Sequence, residues 1–283
     1  MIPISMVILG APGLGKSTLA GSVCELEQVD KCLLIVAKPG EEKSFMYQRH
    51  GLTEKAELYY DADWLPTLSM YKADSYLRLL RRIEELRKDT EYDAVIIDPG
   101  TDVAELISHH ILAPYKVGSY GDLPNTQSYF AQLADKAREF IGRANLLSTP
   151  IASKPKFVLI PFHTQPPKEG MVVNLGQGMK EKQQSADQKA AGIEYEGMVL
   201  PQIEGKYRRK LLADIDCVVY CDIETKRQLD PKTKKMVEVV EHQIQVVPNK
   251  DRHSKIRIAP TLAGQMIPNN MKALLEAVEE SQR

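Results

Sequence analysis

Residues 10–17 read GAPGLGKS, with glycines at Gly10, Gly13 and Gly15 followed at once by a lysine and a serine. Glycines let a backbone turn its N–H groups inward around an anion, and Lys16 and Ser17 add a positive point charge and a hydroxyl oxygen. That is chemistry for holding phosphate. Gly10, Ala11, Pro12, Gly13, Leu14 and Gly15 supply the cradle, Lys16 reaches the β and γ phosphates, Ser17 ligates Mg²⁺, and Thr18 completes the turn into a helix. A chance glycine-rich turn is the alternative. It is disfavoured because the apolar run ISMVIL (4–9) precedes the loop and a helical segment follows it, which is the setting such a loop requires.

A second chemical residue closes another apolar run. In YDAVIIDPG (92–100) the chain passes from Ala94–Ile97 to Asp98, where a carboxylate at a strand's C-terminal end can hold the magnesium shell opposite Ser17. An aspartate there also serves as a plain helix cap, and only its pairing with the phosphate loop gives the metal reading its weight. A third run, Phe157–Ile160, stops at PFHTQPP (161–167). Paired prolines end a ladder by removing N–H donors, so the polar end alone reads as a strand emerging into water. His163, however, carries an imidazole that can donate or accept near neutral pH.

These residues need rigid elements to position them. Buried strands are expected at 4–9, Lys31–Ala37, Tyr92–Ile97 and Phe157–Phe162, with a short edge strand at Leu58–Tyr60. Helices are expected at Ser17–Leu26, at Asp74–Lys88 with Asp74 as N-cap, through Leu112, and at Asn125–Arg143. Strands alternating with helices predict an α/β fold with a mostly parallel sheet. Two long strands, Ile215–Ile223 and Met236–Val247, flank the polar turn ETKRQLDPKTKK, and a helix spans Asn269–Ser281. Residues 164–205 are rich in glycine, glutamine and lysine and too long for an ordinary connection; they read as a mobile functional loop or as locally disordered. With neither repeat nor linker, 1–283 reads as one domain, in which 215–260 extends the sheet.

A composition of 43% apolar and 27% charged residues is that of a globular protein, and a net charge of −1 leaves any nucleic-acid or membrane binding to local patches. Cys24, Cys32, Cys217 and Cys221 lack the spacing of a zinc site or a disulfide framework. Cys217 and Cys221, four apart in an alternating run, are expected on one sheet face. No run reaches membrane-spanning length and no basic leader precedes the first strand, so a reduced cytoplasmic setting is expected.

The order GAPGLGKST, KCLLIVAKPGEE, YDAVIIDPGTD, KFVLIPFHTQ and VVPNKDRHSK resembles the RecA-like ATPase core, and most of all the compact phage-encoded RecA-like ATPases of single-strand annealing and recombination. The resemblance implies a RecA-like P-loop fold with a C-terminal β-hairpin extension, ATP and Mg²⁺ as cofactors, and ATP hydrolysis. It further implies single-stranded DNA, further copies of the chain and a single-strand-binding protein as partners, in a bacterial cytoplasm harbouring phage. The strand after Asp98 is then inserted between the two motif strands, and His163 at its end senses the γ-phosphate.

For activating water, many related ATPases place a glutamate directly after the aspartate, but Pro99 stands there. Lys38 takes the RecA-type position, which leaves Glu41 or Glu42; both also read as a solvated helix start. Lys250 and Arg252 in NKDRHSK match a basic pair that reaches a neighbouring subunit's nucleotide, or form a charged hairpin end. Lys168, Lys180, Lys182 and Lys189, with KYRRK (206–210), fall where such proteins carry a DNA-binding loop. With Tyr195 and Tyr207 as the aromatics nearby, contact is to phosphates rather than stacked bases. The same features suit a nucleotide-gated assembly protein of slow turnover with no DNA role. A small-molecule kinase is disfavoured by the mid-chain strand and the hairpin.

Overall fold

Continuous apolar runs form the strands at the centre of the molecule, because a strand covered on both faces has no place for polar residues. The computed structural model describes residues 3–37, 52–59, 74–165, 200–201, 215–229, 236–246, 255–257, 259, 262 and 266–282. Strands are β1 (Ser5–Gly10), β2 (Cys32–Val36), β3 (Ala56–Tyr59), β4 (Ala94–Asp98), β5 (Phe157–Gln165), β6 (Leu200–Pro201), β7 (Cys217–Leu229), β8 (Met236–Gln245), β9 (Lys255–Ile256) and β10 (Met266–Pro268). Helices are α1 (Lys16–Gly21), α2 (Leu52–Lys55), α3 (Ser75–Lys88), α4 (Gly100–Leu112), α5 (Thr126–Leu146) and α6 (Met271–Ser281).

The sheet runs β10-β8-β7-β1-β5-β4-β2-β3, with β6 paired to β5 and β9 to β7. From β7 to β3 neighbouring strands are parallel, whereas β8, β10, β6 and β9 join antiparallel. This is the expected α/β fold with a mostly parallel sheet, and β5 lies between β1 and β4. The crossover helices are what allow parallel neighbours, since a hairpin cannot join them.

Alternation along each strand sorts its side chains into two cores. Val7, Leu9, Leu33, Ile35, Val95, Ile97, Val158, Ile160 and Phe162 face α3, α4 and α5. Met6, Ile8, Leu34, Ile96, Leu159, Cys217, Val219 and Cys221 face α1 and α6. Cys217 and Cys221 thus share one face, as their spacing predicts. The lower end of the sheet is pinned by Asp93. Its carboxylate accepts N–H bonds from Asp30 at 3.0 Å and Lys31 at 3.2 Å and pairs with Lys154 at 2.5 Å, tying the starts of β2 and β4 to the approach to β5.

Three local expectations differ. The helix foreseen at Ser17–Leu26 is α1 followed by a 3-10 turn over Ser22–Glu25, where the Ser22 hydroxyl donates to the Leu19 carbonyl at 2.7 Å. Asp74 stands at the N-cap of α3 but its side chain makes no cap bond; the carboxylate instead accepts from Arg78 Nε at 2.9 Å, one turn on. Strand β7 continues through Leu229 rather than turning after Ile223, because a two-stranded ribbon can be held by cross-strand ion pairs. Lys226–Glu241 at 2.7 Å and Arg227–Glu238 at 3.3 Å make that ladder.

Packing is close where α4 leaves β4. A Cβ on Gly100 would lie 2.6 Å from the Phe162 ring and 2.8 Å from Ile160 Cγ2. Gly100→Ala is therefore expected to destabilise the fold by about 1–3 kcal/mol through overpacking, seen as a lower denaturation midpoint with an unchanged slope. A midpoint equal to the parent's would show that the helix moves away at no cost.

Candidate nucleotide-binding site

Parallel strands end together, and the loops at their C-terminal ends form the site. Gly10 is the last residue of β1 and pairs in register with His163 of β5. Asp98 is the last residue of β4, one strand further on, and pairs with Val36 of β2. The strand order thus brings three segments, distant in sequence, to one edge.

The loop after β1 requires glycine at two places. Gly13 has φ of 82° and Gly15 has φ of 87°, in the left-handed region that side-chain-bearing residues avoid. At Gly10 a Cβ would sit 3.3 Å from the Cys221 carbonyl oxygen and 3.4 Å from Lys16 Cγ, so the loop closes tightly over its own lysine. Lys16 is buried, 7% exposed, and its Nζ donates to the Ala11 carbonyl at 2.9 Å across the loop. A buried ammonium held inside a ring of backbone is placed to exchange that carbonyl for phosphate oxygens, which bind it more strongly.

Ser17 Oγ donates to Asp98 Oδ2 at 3.3 Å, and Asp98 is buried. A hydroxyl and a carboxylate facing one another are hard oxygen donors and fit Mg²⁺, which takes few protein ligands and completes its shell with water and phosphate oxygens. Among the described residues no group of three or more His, Cys, Asp or Glu side chains could hold a metal unaided. When bound, Mg²⁺ would neutralise charge on the phosphates. Ser17 and Asp98 are the residues that would hold it.

His163 lies level with Gly10, and its backbone N–H donates to Thr101 Oγ1 at 2.9 Å, in the first turn of α4. Thr101 thereby couples the segment after Asp98 to the end of β5. Two residues beyond His163, Gln165 pairs antiparallel with Leu200, and Thr164 with Pro201.

Three further residues border the loop with no signal for it in the sequence. Asn269 Nδ2 donates to the Gly15 carbonyl at 3.0 Å, and its Oδ1 accepts from Cys221 Sγ at 3.7 Å. His242 places Nδ1 3.1 Å from the point a Gly15 Cβ would occupy. Burial pushes the Cys221 thiol up to about 12, against the pull of the Lys16 ammonium and with a further push from Asp222. It stays a protonated donor. Glu41, Glu42 and Lys38, the loop lysines Lys168, Lys180, Lys182 and Lys189, residues 206–210, and Lys250 and Arg252 lie outside the described residues.

Among the described residues no helix is long and apolar enough to cross a membrane. No protein-family model and no curated protein matches the sequence. Solved structures are similar at low identity. An ATPase from the type III secretion system of pathogenic bacteria is 15% identical with a TM-score of 0.44, over 77% of this chain and 51% of that one. The type III secretion ATPase EscN of enteropathogenic E. coli is 17% identical with a TM-score of 0.40, over 77% of this chain and 43% of its own. The flagellar accessory protein FlaH of Methanocaldococcus jannaschii is 12% identical with a TM-score of 0.43, over 94% and 85%. The chain spans about half the length, or less, of the secretion ATPases it resembles.

Proposed function

We propose that this protein binds and hydrolyses ATP with Mg²⁺ and uses the nucleotide state to control its hold on single-stranded DNA in recombination or annealing. One observation carries the nucleotide part: Ser17 at the end of the GAPGLGKS loop faces Asp98 at 3.3 Å, with β5 inserted between their strands. Lys16 neutralises the β and γ phosphates, Ser17 and Asp98 hold the metal, and His163 reads the γ-phosphate. Glu41 or Glu42 is the proposed water-activating carboxylate.

The DNA part rests on chain order. The segment bearing Lys168, Lys180, Lys182 and Lys189 is rooted at Gln165 and Leu200, two residues from His163. A change at the phosphate then has a short path to a basic segment. Self-association is proposed through Lys250 and Arg252 reaching a neighbouring copy's nucleotide. A single-strand-binding protein is a proposed partner, and a phage-carrying bacterial cytoplasm the proposed setting. Pro99, in the place of a catalytic glutamate, favours a second reading, in which slow turnover gates assembly with no DNA role.

The test is phosphate release from ATP with and without single-stranded and duplex oligonucleotides, with particle size followed by sedimentation. Single-stranded DNA is expected to shift nucleotide affinity by about 5–150-fold, the usual range of coupling between sites, and His163→Ala to remove that coupling while still binding nucleotide. An ATP-dependent change in size with no DNA effect would establish the second reading. A His163→Ala variant coupled like the parent would reduce His163 to a strand end.

A further inference from the structure

The phosphate loop is held from a part of the chain that nucleotide chemistry does not require. Helix α1 has six residues, too few to be stable by itself, and depends on neighbours for its position. Two of its grips come from residues two apart at the junction of β10 and α6. Asn269 Nδ2 donates to the Gly15 carbonyl at 3.0 Å, and the Met271 N–H donates to Ser22 Oγ at 2.8 Å, just past the other end of α1. Asn270 between them caps α6, its Oδ1 accepting from the Ala273 N–H at 2.8 Å, so the junction is itself anchored. The Asn269 N–H donates to the His242 carbonyl at 3.3 Å, which ties the same point to β8.

The grip at Gly15 is directional. Its carbonyl accepts both Asn269 Nδ2 and, at 2.9 Å, the Leu19 N–H of α1. Because a peptide unit is planar and trans, fixing the Gly15 carbonyl fixes the Lys16 N–H in the opposite direction, out of the first turn of α1. Cys221 donates to Asn269 Oδ1 at 3.7 Å, and that bond selects which end of the amide faces Gly15. A side chain at position 15 would collide with Asn269 Nδ2, so glycine is required here by the clamp as well as by its positive φ.

We propose that Asn269 is a positioning residue for the phosphate loop, orienting the Gly15–Lys16 peptide so that the Lys16 N–H is ready for a phosphate oxygen before nucleotide arrives. The inference rests on the reading of Gly10–Thr18 as a phosphate cradle. It makes the C-terminal junction a determinant of nucleotide affinity although it touches no phosphate.

The experiment compares the parent chain with Asn269→Ala, the isosteric Asn269→Asp and, at the opposite grip, Ser22→Ala. Each is titrated calorimetrically with Mg–ADP well below its melting temperature, and the Lys16 amide resonance is followed by NMR in the bound state. Asn269→Ala is expected to weaken Mg–ADP on the order of three- to tenfold, the loss of one oriented hydrogen bond. Asn269→Asp is expected to weaken it further, since a carboxylate opposes the Gly15 carbonyl and the incoming phosphates. Both shift the Lys16 amide, whereas Ser22→Ala lowers the melting temperature without moving affinity or resonance. Parent-like affinity and resonance in both Asn269 variants, or changes in Ser22→Ala that parallel them, would overturn the proposal and leave the cradle standing. A parent chain that does not bind Mg–ADP, or that binds it no better than Lys16→Ala, overturns the cradle and this inference together.

Discussion

Lys16→Ala is expected to lower affinity for Mg–ATP by about 100-fold or more, roughly 3 kcal/mol, the upper end for a charge-assisted hydrogen bond. The expectation follows from where the ammonium sits. Lys16 is buried within the loop and donates to the Ala11 carbonyl at 2.9 Å, so phosphate replaces a weak acceptor without the side chain having to be ordered anew. Removing it also relieves the protein of a buried charge, so the fold is expected to survive and circular dichroism to match the parent. Lys16→Arg is not expected to rescue binding, because the buried tip of the side chain is placed as a compact ammonium against the Ala11 carbonyl at 2.9 Å, and a planar guanidinium is bulkier and donates in a different geometry. Equilibrium titration checks both variants. Undiminished affinity in Lys16→Ala would remove the lysine from the site.

The second large effect is at Asp98. Asp98→Asn keeps the size of the side chain but takes away the negative charge that faces Ser17 Oγ at 3.3 Å. Phosphate release from Mg–ATP is expected to fall by about 10²–10³-fold, several kcal/mol of barrier, with the required Mg²⁺ concentration rising. Binding of nucleotide in the presence of a chelator should be unchanged, since the cradle is intact. Asp98 is 4% exposed, so neutralising it is not expected to destabilise the fold. Measuring release against Mg²⁺ concentration separates a lost metal ligand, which shifts the curve, from a residue with no metal role, which leaves the curve in place.

What could be read from the sequence follows how local the physics is. Strands β1, β2 and β4 and the buried part of β5 lie within about two residues of their apolar runs, since burial on both faces writes an unbroken signal. The phosphate loop was legible because its glycines, lysine and hydroxyl are consecutive. The place of β5 between β1 and β4 was legible through the resemblance alone, as nothing in Phe157–Gln165 states which strands it joins.

Other features were hidden for definite reasons. The β7 half of the ribbon beyond Ile223 is largely polar, so that stretch reads as a turn, whereas in the fold it pairs with Met236–Glu241 and is bridged by Lys226–Glu241 and Arg227–Glu238. Asp74 satisfies the compositional rule for a cap yet is drawn to Arg78 instead. Asn269 lies 254 residues from its acceptor, and an asparagine before a helix suggests a cap rather than a clamp on a distant loop. The need for glycine at position 100 is set by the Phe162 ring, which belongs to another strand.

GAPGLGKS and Asp98 are proposed to form one magnesium–nucleotide site. Calorimetric titration of the full chain with ATP, with Mg²⁺ and then with excess chelator, tests it most directly. Saturable binding of one nucleotide per chain, tightening when Mg²⁺ is present, is the expected result. No saturable binding at millimolar ATP, or affinity indifferent to Mg²⁺, would contradict it.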